Sequence, residues 1–354
     1  MAKWVKFALA LLIGVGAYLA FWPTGISPLA WDAPSAPELR GNFQANNLLE
    51  QVEHLGVGQG KAGEDVAVDE QGRIYTGYND GRIVRFSPDG QSSETLVNTQ
   101  GRPLGLDFDN SGNLIIADAD RGLLSLSPDG VLKTLTTGTA SHQLVFTDDV
   151  DVAPDGKIYF SDASYKYDRH HLMKDVLEHR PNGLLLRYDP ELKTTEILLR
   201  DLYFANGIAV SNDNTFVLIA ETTAYRIHKY WLTDNHEPAH EVIIDNLPGM
   251  PDGISTGQAG RFWFPLVLLR NPILDKLSNS PRLREVVLRI PQFLQPKGQS
   301  YGFVVGIDGE GKVLHNLQGR PPKALAPISS VEEVGDQLYL GTLAADSIGR
   351  LPLP

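Results

Sequence analysis

Four side chains with oxygen donors recur at one register of an internal repeat: Glu64, Asp148, Asn206 and Asp252. They stand in Gly63-Glu64-Asp65, Thr147-Asp148-Asp149, Ala205-Asn206-Gly207 and Pro251-Asp252-Gly253, each just ahead of a strand-like phrase. Carboxylate and amide oxygens, without thiolates or a histidine cluster, suit a hard cation; calcium takes six to eight such oxygens at roughly 2.3–2.6 Å. Three of the four are acids, and crowding ionised acids without a cation is costly and drives protonation. The set therefore points to Ca2+ or another divalent cation. Asn-Gly and Asp-Gly are also common turn dipeptides, so the weight lies in the shared register rather than in any one pair. The second unit has Leu104-Gly105 at that register, and the sixth has Ser329-Ser330. His142, in the connection leading to the third phrase, is a candidate for proton transfer, although a lone loop histidine is often plain surface. No Gly-x-Ser-x-Gly segment is present, so a serine nucleophile elbow is not indicated.

The elements that must position these residues are set by the repeat. An apolar alternating strand, a polar turn and a second strand run from Val66 to Tyr75, from Leu106 to Ile115, from Val150 to Tyr159 and from Ile208 to Val217. A looser copy spans Ile254 to Phe264, and a sixth runs from Val331 to Tyr339. Two further strand-like stretches follow most copies. Four strands per unit of about 40 residues is the size of a propeller blade. A blade cannot bury both faces alone, so its neighbours must cover it. The expectation is an all-β, six-bladed β-propeller over residues 47–354. The last blade lacks about one strand, and Asn47 to Leu55 supplies it, which closes the ring and removes exposed edges. The competing architecture is a β-sandwich with coincidental turns. Helical inserts are expected in blade three, around Leu172, Met173, Val176 and Leu177, and in blade five, around Leu283, Val286, Val287 and Ile290. Both follow second strands, so both emerge on the rim where the four oxygen donors lie. There they form a lid, lie on a membrane surface or serve as ordinary packing helices.

Residues 1–22 form an apolar segment flanked by Lys3 and Lys6, read as a membrane anchor or a cleaved signal, with the anchor favoured. Either way the remainder is exported, as a single-pass membrane protein or as a secreted one. Residues 23–46, rich in Pro, Ser, Ala and Asn, read as a linker. The net charge of −12, from 43 acidic and 31 basic residues, argues against a nucleic-acid partner and favours cations. The absence of cysteine excludes disulfides, thiolate metal sites and cysteine nucleophiles.

The segments Leu177-Glu178-His179-Arg180-Pro181-Asn182-Gly183, Ala205-Asn206-Gly207-Ile208-Ala209, Asp245-Asn246-Leu247-Pro248-Gly249-Met250-Pro251-Asp252-Gly253 and Leu338-Tyr339-Leu340-Gly341-Thr342 carry a resemblance. The chain resembles the strictosidine synthase-like branch of six-bladed propellers, which includes the adipocyte plasma-membrane-associated protein. The wider superfamily contains gluconolactonases, paraoxonases and squid-type diisopropylfluorophosphatase. The resemblance implies calcium held at Glu64, Asp148, Asn206 and Asp252, with Asp148 departing from the usual asparagine. It implies hydrolysis of a small-molecule ester or lactone, with Asp252 as ligand and as general base or nucleophile. The proton-accepting glutamate that strictosidine synthase carries in blade six aligns with Ser329, although Glu332 and Glu333 are close. That departure argues against an amine–aldehyde condensation. The alternatives are a non-catalytic, metal-braced binding platform and, against that departure, the amine–aldehyde condensation itself.

Overall fold

The computed structural model describes residues 2–233, 236–296 and 298–354. Six antiparallel sheets, one per repeat unit, stand around a central channel as a six-bladed β-propeller. Their inner strands are Val66–Val68, Pro103–Phe108, Thr147–Val152, Ala205–Val210, the pair Gly249–Pro251 and Ser255–Thr256, and Ile328–Val334. The ring closes as expected. Glu53–Leu55 pairs antiparallel with Ile348–Arg350 and becomes the outer strand of blade six.

Strands buried on both faces explain the runs of apolar residues in the middle of each blade. Ile115, Ala117 and Leu123 of blade two pack on Val150, Phe160 and Leu186 of blade three, and equivalent clusters fill the other interfaces. The polar turns of the repeat are built by their own aspartates. Asp69 Oδ1 accepts from Gln71 N and Arg73 N, and Asp109 Oδ1 accepts from Ser111 N and Asn113 N. Gly72 and Gly112 close these turns at φ of 74° and 77°, a region that favours glycine.

A second set of aspartates ties blade to blade around the axis. Asp65 Oδ2 accepts from Leu106 N, Asp107 Oδ2 from Val152 N, Asp149 Oδ2 from Ile208 N and Asp151 Oδ2 from Val210 N. Each carboxylate thus satisfies a backbone donor of the next blade, which β-pairing within blades cannot reach.

The expected inserts are helical. Helix α1 spans Ala2–Phe21, α2 Leu172–Glu178 in blade three, and α3 Pro272–Leu277 with α4 Pro281–Arg289 in blade five. Leu177 of α2 and Val287 of α4 share a small apolar core with Ile26 and Tyr167. Arg284 of α4 donates to Leu177 O at 3.0 Å, filling one of the carbonyls left open at the end of α2.

Residues 23–46, read as a linker from composition, are held along this face as a strap. Ser27 N donates to Glu178 Oε1, Leu29 N to Glu178 O and Trp31 N to Ser278 O. Trp31 stacks on His179 with ring centroids 4.2 Å apart, and His179 stacks in turn on Tyr203 at 4.7 Å. Burial, reinforced by the Arg284 and Arg226 guanidiniums, pushes the His179 imidazole down to about 3. The unfolded chain takes up that proton near the ordinary 6.5. Between those values the unfolded state binds more protons, so stability is present above 6.5 and is lost as pH falls. Chemical unfolding of wild type and His179→Asn checks this. The stability advantage of wild type is expected to shrink by about 2 kcal/mol between pH 7.5 and pH 5, and a pH-independent difference contradicts the buried neutral imidazole.

Candidate active site

The inner strands of blades two, three, four and six each slip register at the same place: between Pro103 and Leu106, Thr147 and Val150, Ala205 and Ile208, and Ile328 and Val331. These are β-bulges, which re-aim side chains locally. Asp148-Asp149 and Asn206-Gly207 lie inside them. Neighbouring acids are divided between two floors of the channel. Glu64 and Asp148 face an upper cavity of about 340 Å³, whereas Asp65 and Asp149 face a lower one of about 270 Å³.

Asn206-Gly207 is not a turn. Gly207 packs against blade five, where an added Cβ would come within 2.3 Å of Asp252 O and Ile254 N. That close approach lets Asn206 Nδ2 donate to Asp252 Oδ1 across the blade interface. Thr222 Oγ1 supports the same corner by donating to Pro251 O at 2.8 Å.

Glu64, Asp148, Asn206 and Asp252 all line the upper cavity, and all are buried. Its walls are mainly apolar, from Leu104, Phe146, Phe204 and Met250 on the blades and from Leu172, Met173 and Val176 on α2. Arg102, a residue the repeat register did not single out, lies on the same floor. Its guanidinium donates to Glu64 Oε2 at 2.9 Å and to Ala62 O at 3.0 Å. A basic residue two positions ahead of the blade-two register was the available signal.

The electrostatics are those of confined like charges. Burial raises the Asp148 carboxyl well above its usual range, and Glu64 and Asp252 push it further. Burial and Glu64 do the same to Asp252, against the hydrogen bond from Asn206. Burial also raises Glu64, opposed by Arg102. Asp252 Oδ2 is buried without a hydrogen-bond partner. With Arg169 of the lining paired to Asp120, three carboxylates against the Arg102 guanidinium leave two negative charges uncompensated when ionised, the charge of one divalent cation. The donor set therefore fits such an ion. Its side chains are not drawn together around one: among the described residues no three His, Cys, Asp or Glu side chains form a closed ligand cluster.

His142 does not join the other four. It sits in a short hairpin, Gly138–Thr139 with His142–Gln143, outside the residues lining the upper cavity. Its Nε2 lies 3.2 Å from Asp162 Oδ2, and its ring meets Tyr165 edge-on. Asp162 is buried and also accepts from Phe146 N, so the imidazole is held by the wall rather than aimed at the floor. The acids of blade six are also elsewhere. Ser329 Oγ donates to Glu64 O at 2.6 Å, Glu332 lines the lower cavity, and Glu333 pairs with Arg261 and Trp263 Nε1.

The sheets and their ring closure define a six-bladed β-propeller with an acid-floored cavity at its axis. A strictosidine synthase family profile matches residues 148–235, and a strictosidine synthase-like N-terminal profile matches residues 41–86. Protein STRICTOSIDINE SYNTHASE-LIKE 13 of Arabidopsis thaliana is 34% identical, over 92% of this chain and 87% of its own. The adipocyte plasma membrane-associated protein of Mus musculus is 28% identical over 99% and 89%. A gluconolactonase from Xanthomonas campestris superposes with a TM-score of 0.64 at 18% identity, covering 93% of this chain and 98% of its own. The chain belongs to the strictosidine synthase-like family.

Gly207→Ala tests the blade-four to blade-five contact that sets the floor. The overpacked variant is expected to lose about 1–3 kcal/mol of stability, measured by denaturant unfolding; an unchanged midpoint shows that the contact is slack.

Proposed function

We propose that this chain is a divalent-cation-dependent hydrolase of apolar esters or lactones, tethered to a membrane by α1 with the propeller on the exported side. The observation that carries the reading is Asp252: a buried carboxylate with an unpartnered Oδ2, on an acidic floor beneath apolar walls. Glu64, Asp148, Asn206 and Asp252 would hold the cation, calcium by family resemblance. When bound, it supplies Lewis acidity toward a carbonyl oxygen and offsets the repulsion among the acids. Asp252 then acts as base toward the attacking water, or as nucleophile. The apolar walls bind the acyl or aryl group and exclude bulk water. Arg102 stabilises Glu64 as a carboxylate. The gluconolactonase likeness supports the reaction class, but a polyol lactone needs hydroxyl partners that these walls provide sparingly.

For the tether, Lys3–Phe21 is a 19-residue apolar stretch of mean hydropathy 1.9 with none of it buried. The name of the mouse relative is consistent with a membrane location. A metal-free binding platform is the second reading, favoured by the Arg102–Glu64 ion pair, which already supplies one cation to the floor.

A panel of aryl esters and lactones, assayed with and without chelator, separates the two. Each buried methylene is worth about 0.8 kcal/mol, so the four added from acetyl to hexanoyl esters are expected to raise kcat/KM roughly 200-fold. Asp252→Asn is expected to lose about 100-fold or more in kcat/KM while calorimetry still detects calcium. Turnover indifferent to both chelator and Asp252→Asn sinks the hydrolase; preference for a sugar lactone sinks the apolar substrate class.

A further inference from the structure

The blade-five insert carries apolar side chains that nothing in the fold covers. Ile273 of α3, Leu283 of α4, and Phe293 and Leu294 just beyond it are 56%, 49%, 74% and 62% exposed. They are not a failure of packing, because the opposite side of the insert is well seated. Arg284 and Val287 of α4 are buried against α2 and the strap, and Leu274 and Leu277 pack on the same small core.

Two observations identify the occupant of the outer side. The first is continuity with the apolar helix. Arg289, at the end of α4, donates from Nε to Trp22 O at 2.6 Å and from Nη1 to Leu19 O at 3.0 Å. Tyr18 Oη donates to Arg289 O at 3.0 Å. Leu19 O is a carbonyl that the last turn of α1 leaves open and Trp22 follows α1 directly, so α4 is fastened to the point where α1 ends. If α1 spans a bilayer, that point is the water–lipid boundary, and the insert is held against it. The second is charge. In a chain of net charge −12, the exposed charged side chains of the insert, among the described residues, are Lys276 and Arg282. Basic side chains flanking exposed apolar ones are the composition of an interfacial segment on anionic lipid.

We infer that the blade-five insert is a second membrane contact, with Ile273, Leu283, Phe293 and Leu294 immersed in the headgroup–acyl boundary and Lys276 and Arg282 on the headgroups. This rests on the anchor reading of α1. It holds the propeller in one orientation, with the α2–α4 rim toward the lipid and the turns between third and fourth strands away from it. The insert also lends Leu274 and Pro296 to the wall of the upper cavity, so the cavity lies beside the lipid-facing side chains.

The absence of cysteine makes the test direct. Single cysteines replace Leu11, Phe293, Leu283 and Leu192, each carrying an environment-sensitive fluorophore, in the full chain reconstituted into phosphatidylcholine–phosphatidylserine nanodiscs with spin-labelled lipid. Leu192, in the turn between the third and fourth strands of blade three, is 71% exposed on the opposite rim. The spin-labelled lipid is expected to cut fluorescence about two-fold or more at positions 11, 293 and 283, and to leave position 192 unchanged. Quenching at 11 with none at 293 and 283 overturns this contact while leaving the anchor intact. No quenching at 11 overturns the anchor and this inference with it. Labels at 293 and 283 shielded from water but untouched by the spin-labelled lipid point to a second protein copy, and equally overturn it.

Discussion

Acidic side chains converge on the axis of this ring from every blade but the fourth, and much of the surrounding structure answers the repulsion that follows. In the upper half Glu64, Asp148 and Asp252 share one cavity, with the Arg102 guanidinium paired to Glu64. In the lower half Asp65, Asp107, Asp149, Asp151 and Glu332 share a space of about 270 Å³. Burial pushes Asp65 up to about 7 and Asp107 up to about 6, and Asp107 and Asp151 are within reach of a shared proton. The two halves meet this cost differently. Below, backbone N–H groups of the neighbouring blade absorb oxygens of the four aspartates, which become fasteners. Above, Asp148 and Asp252 lack such donors, which leaves oxygens free to act on something that enters.

The difference between fastener and functional group is one residue wide. Glu64-Asp65 and Asp148-Asp149 each send one acid up and the next one down. A regular strand already alternates sides, but the bulges bring the inner ends of the blades close enough for Asn206 to touch Asp252. Gly207 is part of the same device, since any side chain there would push blade five away.

The blade count and the ring closure were legible because the hairpin phrase repeats with its turn residues intact, from Asp69-Glu70-Gln71-Gly72 to Asp109-Asn110-Ser111-Gly112. The four cavity residues were legible through shared register. What the register concealed was chemistry arriving from outside it. Arg102 reaches Glu64 across 38 positions, and no local pattern marks the pairing. The strap looked like free linker because its partners, Glu178, Arg284 and Ser278, lie more than a hundred residues away. His142 carried the right chemistry in the right part of the chain, but its direction was fixed by Asp162, a buried acid at the end of a second strand. Leu177 to Gly183 is one of the segments that carried the family resemblance, and the visible work of its His179 is stacking between Trp31 and Tyr203.

The outer strand of blade six sets a schedule for biosynthesis. Glu53 and its partner Arg350 are separated by 297 positions. At roughly 5–20 residues per second, a ribosome needs about 15–60 s to supply the second after the first. For that interval Glu53–Leu55 has no strand to join, and blade six exists only as an incomplete sheet or not at all. The seam therefore cannot close before Arg350 has been made, and until then the nascent chain presents a vacant sheet edge where Glu53–Leu55 will join.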